Sequence, residues 1–311
     1  MTLRPLLASA AMALALFCAP AQAQQAPDFS TLTFAKAPLP ASAMVDADPA
    51  IWVVKNPDTT IYLFGTIHIL KPGLSWFDEA VKTAYDASDE LVIEMIEPDA
   101  QIIQQTTLKL GVDPSGTPLR DKLTPDARAK YEAALTTLGV PPAAFDGFRP
   151  WLAAVSLSVL PLMKAGYDPT AGVERTILTD NTKPVEGLET LDEQFGFFAS
   201  LPASDQIAFL NAAVDGIDSL DEETGTMVDA WAAGDVDAVA TLLNEGIDDS
   251  PPVVRKVLLS DRNARWAKWI ERRLLRPGTV FLAVGAGHLA GDESVQTKLA
   301  ADGVIASRIV Y

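Results

Sequence analysis

Short apolar segments along the chain carry the pattern of β-strands. Ile51–Val54 and Thr60–Phe64 are rich in β-branched and aromatic residues and flank the turn-forming segment Lys55–Asp58, which predicts a β-hairpin. Other short apolar runs, each bounded by polar or turn-forming residues, predict further strands at Glu90–Glu94, Pro184–Glu189, Thr279–Val284 and Ile305–Val310. Most of the predicted strands therefore lie toward the two ends of the chain.

The middle of the chain has the spacing of amphipathic helices. A first helix is predicted around Asp78–Ala87, and helices dominate residues 98–180 and 191–276. Thr124 and Pro125 predict a helix start, because threonine caps a helix and proline fits its first turn. Pro161 predicts a helix end. The simplest fold is α/β, with a central sheet built from N- and C-terminal strands and a large helical middle segment.

The first residues predict a secretory signal peptide, residues 1–23. One early arginine precedes an apolar stretch from Leu6 to Ala19, and small residues flank position 22, so cleavage is expected after Ala23. An uncleaved anchor is the alternative, but the apolar stretch is short for a membrane span. Residues 24–46 predict a flexible lead-in, and residues 47–311 a single domain. We expect a periplasmic or secreted protein with no stable membrane anchor after cleavage.

Composition narrows the possible partners and chemistry. The 311-residue chain has a net charge of −17, which disfavours nucleic acid and anionic membranes as partners. Its one cysteine, Cys18, lies in the predicted signal peptide, so the processed protein would have no disulfide, thiol nucleophile or cysteine-ligated metal. The chain has no G-x-S-x-G, P-loop or H-E-x-x-H motif. We expect a peptide or small-molecule substrate, and the oligomeric state is open.

Both histidines of the chain lie in the same local pattern. His68 and His288 each follow a glycine by three residues, at the end of an apolar run. Glu94 and Glu189 end two other predicted strands. Because ligands of α/β sheets bind beyond the carboxyl ends of the strands, these four side chains are expected to meet.

Two chemistries suit this set of side chains. His68, Glu94, His288 and Glu189 could hold a divalent transition metal (manganese, cobalt or zinc) and leave a position open for water. Without a metal, His68 could act as a general base that Glu94 supports. Glu189 also has a structural interpretation, because Gly187–Thr190 resembles a helix-entry turn with Thr190 as the cap.

Other residues could contact a substrate. Arg262 could bind a substrate carboxylate, stabilise an oxyanion or pair with Glu94. The alternative is that Arg262 has no role in the site and lies on the solvated face of a helix. Asn263 follows it and is a predicted substrate contact. Gly65 and Gly285 would let substrate or backbone approach closely where a Cβ would block it.

These motifs resemble those of the TraB/GumN family, also called the TraB–PrgY–GumN or TIKI group. The matching stretches are IYLFGTIHIL (61–70), ELVIEM (90–95), FRPWLAA (148–154), KPVEGLETLDEQFGFF (183–198), SDRNARWAKWI (260–270) and VFLAVGAGHLAG (280–291). The resemblance implies a fold like that of the erythromycin-esterase/ChaN-like superfamily. It also implies metal-dependent proteolysis with manganese or cobalt, as in animal TIKI members.

By this resemblance, His68 and His288 match the family's histidine pair and Glu94 its acid. The resemblance also implies site roles for Glu189, Arg262 and Asn263. The function expected first is a secreted, metal-dependent peptidase with His68, Glu94, His288 and Arg262 as catalytic residues. The alternatives are a metal-independent, esterase-like hydrolase with a histidine base, and a non-catalytic protein that binds haem, a metal or a peptide.

Overall fold

A computed structural model describes residues 44–247 and 252–311. The predicted signal peptide and most of the predicted lead-in lie outside the described residues. Strand β1 (Val45–Asp46) pairs in parallel with the short strand β4 (Leu74–Ser75). Paired backbone therefore begins within the last two residues assigned to the lead-in.

The main sheet has six strands. They are β2 (Ile51–Lys55), β3 (Thr59–Thr66), β5 (Glu90–Met95), β6 (Val185–Glu189), β7 (Gly278–Gly285) and β8 (Ser307–Ile309). The spatial order is β6-β5-β7-β3-β2-β8. Strands β6, β5, β7 and β3 run parallel, whereas β2 is antiparallel to both β3 and β8. The predicted hairpin is confirmed, as is the α/β class with a sheet shared by both ends of the chain.

Helices cover both faces of this sheet, because its central strands are apolar on both sides. Phe281 and Ala283 of β7 pack on one face with side chains from α1 (Glu79–Asp86). Val280 and Leu282 pack on the other face with α11 (Asp261–Arg273) and α12 (Val295–Ala301). This alternation follows from the two-residue period of a strand.

Much of the helical middle segment packs around a third apolar core, whereas residues 173–178 and 236–247 pack on the sheet face that holds Phe281. The helices of this segment are α2 (Ala100–Thr106), α3 (Pro125–Leu138), α4 (Pro150–Lys164), α5 (Val173–Leu178), α6 (Leu191–Ala199), α7 (Ala203–Asp215), α8 (Leu220–Ala232), α9 (Val236–Ile247) and α10 (Pro252–Arg255). Thr124 caps α3 as predicted. The prediction for Pro161 is wrong, because α4 continues through it; α4 is buried along most of its length, and that packing compensates for the hydrogen bond that proline cannot donate.

In the described part of the chain, no helix is both long enough and apolar enough to cross a membrane.

Candidate functional site

The four parallel strands bring the predicted site residues to one edge of the sheet. The end of β3 pairs with the end of β7, Thr66 with Gly285, and β5 pairs with β6 up to Met95 and Glu189. His68 follows β3 by two residues, and His288 follows β7 by three. The carboxyl ends of neighbouring parallel strands share an edge, so the sheet places the histidines and glutamates side by side.

Arg262 links these side chains into a buried network. Its Nη2 donates to Glu94 Oε2 at 2.6 Å and to Glu189 Oε2 at 2.7 Å, and its Nε donates to Glu189 Oε1 at 3.0 Å. Its Nη1 donates to His288 Nε2 at 3.1 Å. All four residues are buried. Arg262 therefore pairs with Glu94, as one sequence-based alternative proposed, and is not on a solvated helix face.

The helix that carries Arg262 begins in an unusual way. A π-helical turn, Lys256–Ser260, runs directly into α11, and Arg262 Nη1 also donates to the carbonyl of Leu258 at 3.4 Å. Trp266 lies one turn further on the same face and stacks on the guanidinium at 4.7 Å. Single π-turns inside helices are frequent at functional sites. This one ends two residues before Arg262.

His288 is held as a neutral imidazole. Its Nδ1 donates to Asn263 Oδ1 at 2.5 Å, and Asn263 Nδ2 donates to the carbonyl of Glu293 at 2.7 Å. Nε2 must then accept the hydrogen bond from Arg262, because a guanidinium can only donate. Burial and the charge of Arg262 lower the pKa of His288 to about 3. The predicted substrate contact, Asn263, is fully buried and instead fixes the tautomer of His288.

Glu94 is ionised within the same network. Burial raises the pKa of Glu94. Arg262, together with the two nearby histidines, lowers it by a larger amount, and the resulting pKa is about 2. Its Oε1 accepts the backbone N–H of Gly285 at 2.6 Å and lies 3.8 Å from His288 Nε2. An ionised carboxylate accepts hydrogen bonds, so Glu94 can hold a water molecule.

Glu174, at the start of α5, orients His68, and sequence reasoning missed it. His68 Nδ1 lies 2.6 Å from Glu174 Oε1, which also accepts the Thr66 hydroxyl at 2.5 Å. Burial lowers the pKa of His68, but the nearby charge of Glu174 more than offsets this effect and raises the pKa above its ordinary value. A carboxylate on Nδ1 leaves Nε2 facing the site, as a base requires.

The chain before α5 packs directly on the backbone of His68. A Cβ on Gly172 would lie 2.1 Å from the His68 carbonyl oxygen, and Val173 N donates to the carbonyl of Ile67 at 3.0 Å. A glycine is thus needed for Glu174 to reach His68. This glycine was the one local signal for Glu174, which is otherwise one of 41 acidic residues.

The two predicted site glycines have different surroundings. A Cβ on Gly285 would lie 3.1 Å from Glu94 Oε1 and 3.5 Å from both His68 Nε2 and His288 Cδ2. His68, Glu94 and His288 therefore all approach the same side of Gly285. A Cβ on Gly65 would instead meet the backbone of Ala286 at 3.1 Å. Gly65 therefore fits the packing of the loop before His288 better than the substrate contact predicted for it.

Glu189 lies at the helix-entry turn predicted for it, and its carboxylate reaches the network. Thr190 caps α6 in a capping box with Glu193, as the helix-entry interpretation predicts. The Glu189 carboxylate is nonetheless buried in the network. Besides the two contacts from Arg262, it accepts hydrogen bonds from Trp266 Nε1 at 3.1 Å, Arg265 Nη2 at 3.2 Å and Gln194 Nε2 at 3.3 Å.

The predicted metal ligands do not form a ligand set in this arrangement. Within residues 44–247 and 252–311, no three His, Cys, Asp or Glu side chains are placed to hold a metal ion. Arg262 Nη1 occupies the lone pair of His288 Nε2, and Glu189 already has five donors around it. A cation beside a guanidinium would also be repelled.

The fold and the site together define an α/β protein with a buried glutamate–arginine–histidine network at the carboxyl edge of its sheet. The sequence profile of the TraB/PrgY/gumN family matches residues 50–308, a range that includes every residue of the network. The chain therefore belongs to the TraB/PrgY/gumN family, as its motifs predicted.

One similar protein is an uncharacterized protein of Treponema pallidum (strain Nichols). It is 23% identical over 260 residues, which cover 78% of each chain. No solved structure matches the chain significantly.

Proposed function

We propose that this protein is a hydrolase in which His68 acts as general base on a water molecule, without a metal ion. The observation that supports this most is that His68 Nε2 and Glu94 Oε1 approach the same side of Gly285, 3.5 Å and 3.1 Å from the position a Cβ would take. Glu174 lies on the opposite ring nitrogen of His68. The bond that is cleaved would be an acyl bond, either a peptide or an ester.

The chemistry follows from the protonation states. A water molecule beside Gly285 would donate one proton to His68 Nε2 and a hydrogen bond to Glu94 Oε1. The oxygen of that water attacks the acyl carbon as His68 takes the proton, and Glu174 stabilises the imidazolium that forms. His68 then returns the proton to the leaving nitrogen or oxygen as its bond to the acyl carbon breaks. Because its pKa lies above the ordinary value, His68 gains basicity, whereas below that pKa it is protonated and cannot start the reaction.

Arg262 and His288 would act through Glu94. The guanidinium keeps Glu94 ionised and fixes its position, and His288 helps to hold the guanidinium by accepting a hydrogen bond from its Nη1. Both of these side chains are almost fully buried, and Arg262 donates to four other groups. We therefore assign positioning roles to Arg262 and His288, rather than the direct contact with substrate that the sequence analysis predicts.

The metal-dependent peptidase is the second candidate. The observation that favours it is that His68 Nε2, Glu94 Oε1 and the ring of His288 all approach the space beside Gly285. Metal binding there would require Arg262 to leave His288 Nε2. The two candidates therefore differ in whether Arg262 moves, as well as in their dependence on a metal.

Export from the cytoplasm remains part of the proposal. It rests on the sequence of residues 1–23. N-terminal sequencing of the protein recovered from its native cells tests it, with Gln24 expected as the first residue if cleavage follows Ala23.

The test of the proposed function compares wild-type protein with His68→Ala on panels of fluorogenic peptides and nitrophenyl esters, with and without excess EDTA. We expect hydrolysis that survives EDTA and falls by about 10²- to 10⁴-fold in His68→Ala. Circular dichroism of both proteins checks the fold. An undiminished rate in folded His68→Ala would rule out the base. Activity lost in EDTA and restored by manganese or cobalt would establish the second candidate instead.

A further inference from the structure

Arg265 is a cation of the network that reaches solvent. Its Nη2 contacts Glu189 Oε1 at 3.2 Å, yet its side chain is 50% exposed, compared with 5% for Arg262. Its guanidinium lies over the ring of Phe197 at 5.0 Å from the centroid. The ring and the glutamate hold the side chain in a fixed orientation at the surface.

Part of this guanidinium is available to an external group. Among the described residues, Glu189 is the carboxylate that Arg265 contacts, and Nη2 makes that contact. The Nε–H, the Nη1–H groups and the second hydrogen of Nη2 remain for a group from solvent. A planar guanidinium held in place is well suited to a carboxylate, because its parallel N–H groups match the two oxygens.

An exposed apolar side chain lies at the same end of the sheet. Ile96 is 49% exposed and follows Glu94 by two residues. Its backbone nitrogen is 3.1 Å from the position that a Cβ on Gly187 would take, so Ile96 lies against β6, which ends at Glu189. The carboxyl edge of the sheet therefore presents an apolar group at the end of β5 and a cation at the end of β6.

We propose that Arg265 binds the C-terminal carboxylate of a peptide substrate, and that Ile96 packs against the side chain of its last residue. This inference rests on the proposed function, since it places the substrate across the same edge. Glu94 and Glu189 end neighbouring strands, which lie about 4.8 Å apart, and an extended peptide advances about 3.4 Å per residue. A carboxylate on Arg265 would thus lie a few residues from the bond that is cleaved.

The competing interpretation is that Arg265 only balances the charge of Glu189. In that case its removal would change stability but not the preference between ligands. A comparison of a free C-terminal carboxylate with the matching amide separates the two, because only a binding role depends on that group.

The test uses two fluorescein-labelled tetrapeptides, Ala-Ala-Ala-Leu with a free carboxylate and the same peptide as its amide. Binding is measured by fluorescence anisotropy on His68→Ala protein, which cannot turn them over under the proposed mechanism. The same measurement is then made on His68→Ala protein that also carries Arg265→Gln. His68→Ala protein that also carries Arg272→Gln is the control. Arg272 is exposed on the same helix.

We expect the carboxylate peptide to bind about tenfold more tightly than the amide, in line with a hydrogen bond to a charged group. Arg265→Gln should abolish this preference, and Arg272→Gln should retain it. In otherwise wild-type protein, Arg265→Gln should raise KM for the carboxylate peptide with little change in kcat.

Equal binding of the two peptides, no measurable binding of either, or a preference that survives Arg265→Gln would overturn the inference. Binding with the expected preference but without hydrolysis by the wild type would overturn the proposed function alone.

Discussion

Replacing Arg262 with methionine removes the cation that pairs with two buried carboxylates. Glu189 keeps Arg265, Trp266 and Gln194 as donors, so most of the cost falls on Glu94, which is 2% exposed. Breaking a buried ion pair by removing one partner costs about 3–5 kcal/mol. Domains are stable by only about 5–15 kcal/mol, so we expect Arg262→Met to lose a large part of the free energy of unfolding.

The cost of Arg262→Met should shrink as the pH falls. In the wild type, the pKa of Glu94 is held to about 2, so its charge contributes stability at every pH above its ordinary range. Without Arg262, burial raises the pKa of Glu94, and the folded variant then takes up a proton that the unfolded chain does not yet bind. Each pH unit between the two pKa values recovers about 1.4 kcal/mol. The wild type meanwhile loses stability as the unfolded state protonates His288, which acts in the same direction.

Urea unfolding followed by tryptophan fluorescence, at about pH 7.5 and about pH 5, measures both effects. Arg272→Met is the control, because its side chain is exposed on the same helix, and it should stay within about 0.5 kcal/mol of the wild type. If Arg262→Met were as stable as this control at neutral pH, the network would not carry the charges we assign to it. A destabilisation that did not depend on pH would refute the ionised state of Glu94.

Three further predictions concern single groups of the site. Glu174→Gln should lower the pKa of His68 and move the acidic limb of the kcat/KM profile to lower pH, because Glu174 raises that pKa. Gly285→Ala should reduce activity, since its Cβ would lie 3.1 Å from Glu94 Oε1, whereas Gly196→Ala, with no atom within 4 Å, should not change the rate. The pKa of His288 is lowered from 6.5 to about 3, so its contribution to stability should fall by several kcal/mol from about pH 6.5 to about pH 3. Urea titrations of wild type and His288→Gln over that range measure the difference.

The elements of the sheet could be predicted because their signals are local. An apolar run bounded by turn residues identifies a strand whatever it pairs with, and β5 and β7 were found to within one residue at each end. Both histidines and both glutamates of the site follow from the same runs. Pro161 shows the opposite case, because burial of α4 outweighs the local preference of one residue.

The roles of Arg262, Asn263 and Glu174 could not be settled in this way. Arg262 and Glu94 are 168 residues apart in the chain, and Glu174 is 108 residues from Thr66. Whether an arginine on an amphipathic helix is solvated or paired depends on what lies opposite, and no local pattern contains that information.

The sequence by itself determined the α/β class, the family and the four polar side chains at strand ends, because these depend on short-range periodicity and on motifs. Only the tertiary structure decided how the charges are compensated. It gave Glu94 and Glu189 a shared arginine, gave His68 an acid and made His288 neutral. Protonation state depends on burial and on the nearest charges, and both are properties of the folded chain rather than of any segment.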